Sequence, residues 1–332
     1  MHGFECLADV RKGRSRPSGR GLPLLETDAA DLALGQTPPD ASPGRPIVAV
    51  AILVTMLLWA GGFVIVRYIR PYFGAGEVVL ARFGGAALVL TVLVVRERPA
   101  LPSRRDLGRI FFIGALWFGV NNLMLNAGER LIDAGTSAML ANTSPVFVAI
   151  AAAIALHERL GRRLIAGLLV ALAGGIVIGL ASGHHHGNLA GAALCLFSAA
   201  PFAVAVAVQK PLLGRVSATA VTWGACLACT LLFLPFAPDL VSEFGRAPAG
   251  DIALLALLAL ASAVAFTAWA YALTYSGLAA QGVSTYLVPV LAVLLSWIAL
   301  AEVPTTLAFV GGGLCLAGVA VAQRSRPALS EV

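Results

Sequence analysis

Residues 133–156 read DAGTSAMLANTSPVFVAIAAAIAL, and residues 278–300 read LAAQGVSTYLVPVLAVLLSWIAL. A helix needs about 20 mostly apolar residues to cross the hydrocarbon of a bilayer, and both stretches have that length and character. Each carries a proline in mid-run, Pro145 and Pro289, and each is followed by a glutamate, Glu158 and Glu302. Pro145 and Pro289 lie 144 positions apart, as do Glu158 and Glu302. The same interval carries Gly167 onto Gly311 and Gly174 onto Gly318. Gly and Pro are common in membrane helices, but four matches at one interval point to an internal repeat.

Outward from these two stretches the chain divides into ten apolar runs, near residues 47–66, 75–95, 107–127, 133–156, 163–182, 188–208, 217–237, 250–273, 278–300 and 304–323. The composition agrees: 59% of the 332 residues are hydrophobic and 12% charged. A soluble domain carries about 25% charge because its surface faces water. The expected fold class is therefore all-α and polytopic, with ten transmembrane helices rather than soluble domains. The runs predict two bundles, at 46–182 and 188–323. Five spans per half is an odd number, so the halves must cross the membrane in opposite senses, as inverted repeats.

The net charge of +6 invites a nucleic-acid partner, but its placement argues against one. With the N-terminus placed inside, 18 of the 23 Lys and Arg fall in the tails and the connections on the cytoplasmic side, among them Arg96, Arg104, Arg159, Arg162, Arg215 and Arg324. Arg67, Arg70, Arg130 and Arg246 fall outside, and Arg82 lies within a run. This asymmetry predicts that both termini are cytoplasmic. Residues 1–45 are rich in Pro, Gly, Asp and Arg and lack the apolar core of a secretory signal. They read as a disordered cytoplasmic tail, with 324–332 as a second tail.

Chemistry-bearing patterns are sparse. Cys226 and Cys229 have CxxC spacing but no second pair to complete a zinc site. His184-His185-His186 read as a solvated loop, and no metal or cofactor is expected. HExxH, the phosphate-binding GxxxxGK[ST] and the GxSxG elbow are all absent, so the chain carries no nucleotide-driven or hydrolytic motif.

Several residues resemble the drug/metabolite transporter superfamily, specifically its EamA-type carriers of ten helices. They are Trp59-Ala-Gly-Gly-Phe63 in the first run, Arg82 in the second, and the paired stretches Pro145 to Glu158 and Pro289 to Glu302. The resemblance covers about residues 46–323. In the second half the nearest match to the opening motif is Ser198-Ala-Ala-Pro201-Phe202, at an interval of 139, and Val303 stands where a base is usual. The resemblance implies a transporter, with export as its direction, on a scaffold that serves amino acids, purines, sugars and other metabolites.

The candidate substrate contacts follow from cost. A charge at a helix centre costs about 2.5–3.5 kcal/mol on insertion scales, so Arg82 reads as an anion contact facing a cavity; a guanidinium snorkelling outward is the other reading. Pro145 and Pro289 free the carbonyls of Ala141 and Thr285 in matching places, next to Asn142 and Tyr286. Interrupted helices in two related halves point to a midplane site. Asn122 and Asn126 share a helix face and serve either that cavity or interhelical hydrogen bonding. Trp59, with Phe63 and Trp117, is a candidate for the cavity wall. Glu158 and Glu302 read as structural carboxylates at helix N-termini. The runs place no carboxylate deep in a span, Glu77 lying near an outer end, which favours a carboxylate-bearing substrate.

The sequence thus supports a secondary transporter of a small metabolite, an amino acid or related carboxylate, working by alternating access in a bacterial inner membrane. Export of neutral or cationic metabolites remains an alternative, and a lipid-modifying membrane enzyme a remote one. The partners expected are a small-molecule substrate and membrane lipid, with no nucleic acid; a homodimer stays open.

Overall fold

The computed structural model describes residues 45–100, 102–144, 146–147, 162–181, 189–276, 281 and 284–323. The expectations placed on residues 1–44, on Pro145, Glu158 and His184–His186, and on 324–332 fall outside them. The described helices are α1 (Arg45–Ile69), α2 (Ala75–Glu97), α3 (Arg104–Glu129), α4 (Ala134–Ala141), α5 (Arg162–Ala181), α6 (Leu189–Leu213), α7 (Ala218–Phe233), α8 (Ala237–Phe244), α9 (Ala249–Tyr275), α10 (Leu287–Leu300) and α11 (Thr306–Gln323). No strand occurs among the described residues.

Helix starts follow local chemistry. Ser103, Asp133 and Ser217 each accept a hydrogen bond from the backbone N–H three residues on, which satisfies one of the donors that a first helical turn leaves free. Six described helical stretches are long and apolar enough to cross a membrane, and three shorter apolar helices accompany them. The ranges differ from the sequence expectation at four places. The third run is helical from Arg104 to Glu129 and contains a π-helical turn, Gly114–Asn121. The fourth stops at Ala141, and Asn142 and Thr143 form a turn. The seventh breaks at Leu234–Phe236, because Pro235 and Pro238 lack the N–H groups that would continue it, and α8 restarts beyond. The ninth resumes only at Leu287, after a turn at Thr285 and Tyr286.

The helices run up and down between two ends. At one end Arg67 meets Glu302 at 3.0 Å, Arg130 donates to the carbonyls of Arg70 and Phe73, and Glu243 accepts from the Gly74 N–H. At the other end Arg215 meets Asp106 at 3.2 Å, and Thr219 donates to Glu97. Each helix that crosses has its two termini at opposite ends, as an alternating topology requires.

The repeat is visible in three dimensions. α5 and α11 form the most extensive helix pair among the described residues. A Cβ on Gly174 would lie 2.5 Å from the Gly311 carbonyl oxygen, and one on Gly318 would lie 2.5 Å from that of Gly167. Between them the Cys315 thiol donates to the Ala171 carbonyl at 3.3 Å. These contacts are reciprocal under the 144-residue interval, which separates Ala171 from Cys315 as well. Position rises along α5 as it falls along α11, so the pair is antiparallel. A two-fold axis relating antiparallel helices lies in the membrane plane, the geometry of inverted repeats.

The same symmetry organises the rest. α1 packs on α9 and α10, while its counterpart α6 packs on α3 and α4; α2 packs on its own counterpart α7. The halves are consequently interlocked rather than two separate bundles, and both belong to one unit, Ser42–Val332. Each half buries its small-residue and apolar faces against the other, as membrane helices do when close packing, not exclusion from water, holds them together.

Candidate functional site

Between the interlocked halves lies a cavity of about 90 Å³, measured as space open to the centre of a water molecule. Its wall includes Trp59, Phe63, Arg82, Trp117, Asn121, Asn122, Asn126, Glu129, Asn142, Ser144, Phe202, Phe266, Thr285 and Val288.

Arg82 projects from α2 and is 8% exposed. Its Nε donates to Ser262 Oγ at 2.6 Å and its Nη1 to Asn122 Oδ1 at 3.0 Å. The guanidinium carbon also sits 5.4 Å from the Phe83 ring centre and 5.6 Å from that of Phe266. Among the described residues no carboxylate is within ion-pair distance of Arg82. A guanidinium offers five N–H donors, and neutral acceptors hold two of them without neutralising the charge. The charge faces the cavity without an opposite charge at ion-pair distance among the described residues. Snorkelling does not describe this residue, since it is clamped inward by α3 and α9.

The polar wall of α3 depends on the π turn. Asn122 Nδ2 donates to the Trp117 carbonyl at 2.9 Å, and Asn121 Nδ2 reaches across to the Ser198 carbonyl at 2.8 Å. Asn126 Nδ2 donates to the Ala75 carbonyl at 3.2 Å. Asn122 and Asn126 both bond to α2, Asn122 through Arg82 and Asn126 near the start of that helix at Ala75, and both are in the cavity wall. π turns recur at functional sites because they rotate the residues that follow onto a chosen face. Here that face carries Asn122, Asn126 and Glu129.

The broken helices of the two halves also meet the cavity. Ala141 and Ser144 of the first break correspond to Thr285 and Val288 of the second, and all four line the wall. The Thr285 carbonyl, which Pro289 cannot serve, accepts from the Val288 N–H at 3.0 Å instead. Pro289 is buried, Tyr286 packs toward Val146 and Val319, and the residues named in the wall are their neighbours Thr285 and Val288. Asn142 does line it, with Nδ2 donating to the Ala138 carbonyl and Oδ1 unpaired.

Trp59 anchors an aromatic cluster, its ring centre 6.1 Å from Trp117, 6.4 Å from Phe202, 5.7 Å from Phe266 and 4.9 Å from Trp269. Phe63 and Phe202, matched at the 139-residue interval of the opening motif, both reach the cavity. The charged and amide groups of the wall come from the first half. The second half adds Ala199, Phe202, Phe266 and Val288, with Thr285 its sole hydroxyl in the wall.

Two carboxylates differ from expectation. Glu302 is not at a helix N-terminus: Thr305 caps α11 by accepting from the Ala308 N–H, and Glu302 pairs with Arg67. Glu129 lines the cavity although the sequence reading placed no carboxylate deep in a span. It lies just past the expected end of the third run. Its spacing of four and three residues along Asn122, Asn126 and Glu129 is the signal that extends the polar face to it.

The model of the EamA-like transporter family matches residues 46–180 and again 189–323. The chain belongs to the EamA-like transporter family. A probable terminal-alkyne amino-acid exporter of Streptantibioticus cattleyicolor is 34% identical over 275 residues, covering 82% of this chain and 92% of that protein. The uncharacterized transporter YdfC of Bacillus subtilis is 26% identical over 267 residues, covering 79% of this chain and 86% of its own. A solved crystal structure of another protein shares the fold, with a TM-score of 0.56 at 19% identity, covering 86% of this chain and 100% of the solved one. This EamA-like protein is thus a multi-pass transporter of the cell membrane, and its two family matches coincide with the two interlocked halves.

Proposed function

We propose that this chain is a secondary transporter that exports a small carboxylate-bearing metabolite, an amino acid or close relative, by alternating access. The observation that carries the reading is Arg82: a cationic group facing the cavity between the two halves, held by Ser262 and Asn122 and matched by no carboxylate within ion-pair distance among the described residues. A substrate carboxylate would accept its free N–H groups in a charge-assisted, two-pronged contact. The similarity to an amino-acid exporter of Streptantibioticus cattleyicolor supports the same class.

The symmetry of the two halves supports alternating access. If each half exchanges its conformation for that of the other, the cavity that opens at one end closes and opens at the opposite end, while the site between the halves stays in place. The breaks at 142–143 and 285–286 would let the outer parts of α4 and α10 move without unwinding the rest. No nucleotide is needed; a gradient or an exchanged solute would drive the cycle.

The test is counterflow in proteoliposomes, with purified protein, labelled amino acids outside at trace level and an unlabelled metabolite panel inside. Accumulation driven by a carboxylate-bearing panel member, and lost in Arg82→Gln, is the expected result. Uptake unchanged in Arg82→Gln would keep the carrier and remove this site.

A further inference from the structure

A carboxylate contact on Arg82 leaves Glu129 unexplained. This residue ends α3, is 2% exposed, and its Oε2 has no hydrogen-bond partner. The nearby Arg67 does not serve it: that guanidinium donates to the Glu129 backbone carbonyl and pairs with the Glu302 carboxylate. A buried carboxylate oxygen without a hydrogen-bond donor is costly and calls for a reason.

We infer that Glu129 is the contact for a substrate ammonium, so that the cavity selects zwitterionic amino acids with apolar side chains over plain carboxylates. The inference rests on the reading of Arg82 as the carboxylate contact. Three observations carry it. Among the described residues Arg82 and Glu129 are the two charged ones of the cavity wall, and their charges are opposite, as are those of a zwitterion. Their placement suits one: Arg82 is bonded to Asn122, and Glu129 lies seven residues further along the same face of α3. Seven residues at 1.5 Å each put the backbone of Glu129 about 10 Å along the helix axis from that of Asn122. An α-amino acid with a charge-assisted bond of about 2.8 Å at each end spans roughly 9 Å between the two protein groups. Finally, Trp59 Nε1 and Asn142 Oδ1 are also unpaired on residues of the same wall, one a donor and the other an acceptor. The apolar remainder of the wall, contributed largely by Phe202, Phe266 and Trp117, leaves the third substituent on Cα an apolar environment.

Counterflow with matched probes tests this in the full chain. L-phenylalanine is compared with 3-phenylpropionate, which lacks the amine, and 2-phenylethylamine, which lacks the carboxylate; L-leucine, 4-methylpentanoate and 3-methylbutylamine repeat the comparison. The wild-type protein is expected to favour each amino acid over both of its partners by about tenfold or more in kcat/KM, since a site built for a polar group rejects the analogue without it. Glu129→Gln should bring the amino acid down to the level of the acid. Thermal unfolding of the variant in detergent, set against that of the wild type, reports whether the fold is intact. Glu129→Asp should keep part of the preference, and Arg82→Gln should lower amino acid and acid together. A Glu129→Gln protein that keeps the full preference, or loses acid and amino acid equally, overturns the inference. Transport of the amines alone, lost in Glu129→Gln and untouched in Arg82→Gln, would overturn both readings of the cavity. So would failure of the wild-type protein to exchange any probe.

Discussion

Replacing Gly318 by alanine puts a methyl group where α5 leaves no room. The new Cβ would lie 2.5 Å from the Gly167 carbonyl oxygen and 2.6 Å from the Ala171 nitrogen, both backbone atoms that cannot rotate aside. Ordinary contact begins near 3.4 Å, so the helices must part locally by about 0.9 Å. A gap of that size forfeits a quarter to a half of the dispersion energy of each contact it opens. Over-packing of this kind costs about 1–3 kcal/mol. Gly174→Ala should cost a similar amount, because its Cβ would lie 2.5 Å from the Gly311 oxygen. The double variant should cost less than the two together, since the first methyl already separates the pair. Gly313, on the same helix, has nothing within 4 Å of its Cβ position. There alanine should stabilise slightly, by about 0.5–1 kcal/mol, through helix preference alone. Thermal unfolding of purified protein in detergent, at one scan rate for all variants, reads these shifts. If Gly318→Ala and Gly313→Ala unfold alike, the close antiparallel pairing of α5 and α11 is wrong.

Three further outcomes follow. Arg67→Gln or Glu302→Gln should each lower stability by about 1–2 kcal/mol, with the double variant no worse than either single one in a double-mutant cycle, because the two share one partly buried ion pair. Ser262→Ala removes the 2.6 Å acceptor of Arg82 Nε and should raise the KM of a carboxylate substrate about tenfold at unchanged expression, hydrogen bonds to charged groups being worth about 1.5–3 kcal/mol. Single cysteines at Ser103 and Ser242, exposed at opposite ends, should react with a membrane-impermeant maleimide from opposite sides of sealed vesicles; the basic-residue asymmetry places Ser103 on the cytoplasmic side.

Much of this architecture was legible in the sequence for a physical reason: hydrocarbon tolerates few charges and no unpaired backbone, so each span declares itself by length and composition. The matched prolines and glycines revealed the inverted repeat, since the same close approach and the same helix break must be encoded twice. How the repeats interlock was not legible, because apolar residues at a helix–helix seam and at a lipid face look alike. Leu258 and Leu260 are near neighbours in sequence, yet the first is buried and the second lipid-facing. The cavity was half visible. Arg82, Asn122, Asn126, Asn142 and Trp59 stood out because polar or large groups in a span need an explanation. Glu129 did not, lying past the expected end of its run, where a carboxylate is ordinarily solvated. The π turn that aims it carries no sequence signature beyond Gly114 and Gly119. Glu302 was assigned to a helix N-terminus by position, whereas the partner that holds it, Arg67, is 235 residues away.

If the cavity between the two interlocked halves is the transport path, it must open to each side in turn. The most direct measurement labels Asn142→Cys with a membrane-impermeant maleimide, in a Cys6→Ser background, in right-side-out and inside-out vesicles. The native Cys195, Cys226, Cys229 and Cys315 are buried and give the unlabelled baseline. The account predicts labelling from both sides, slowed by a transported amino acid on each. Labelling from one side only, indifferent to every solute that the protein exchanges, would contradict it.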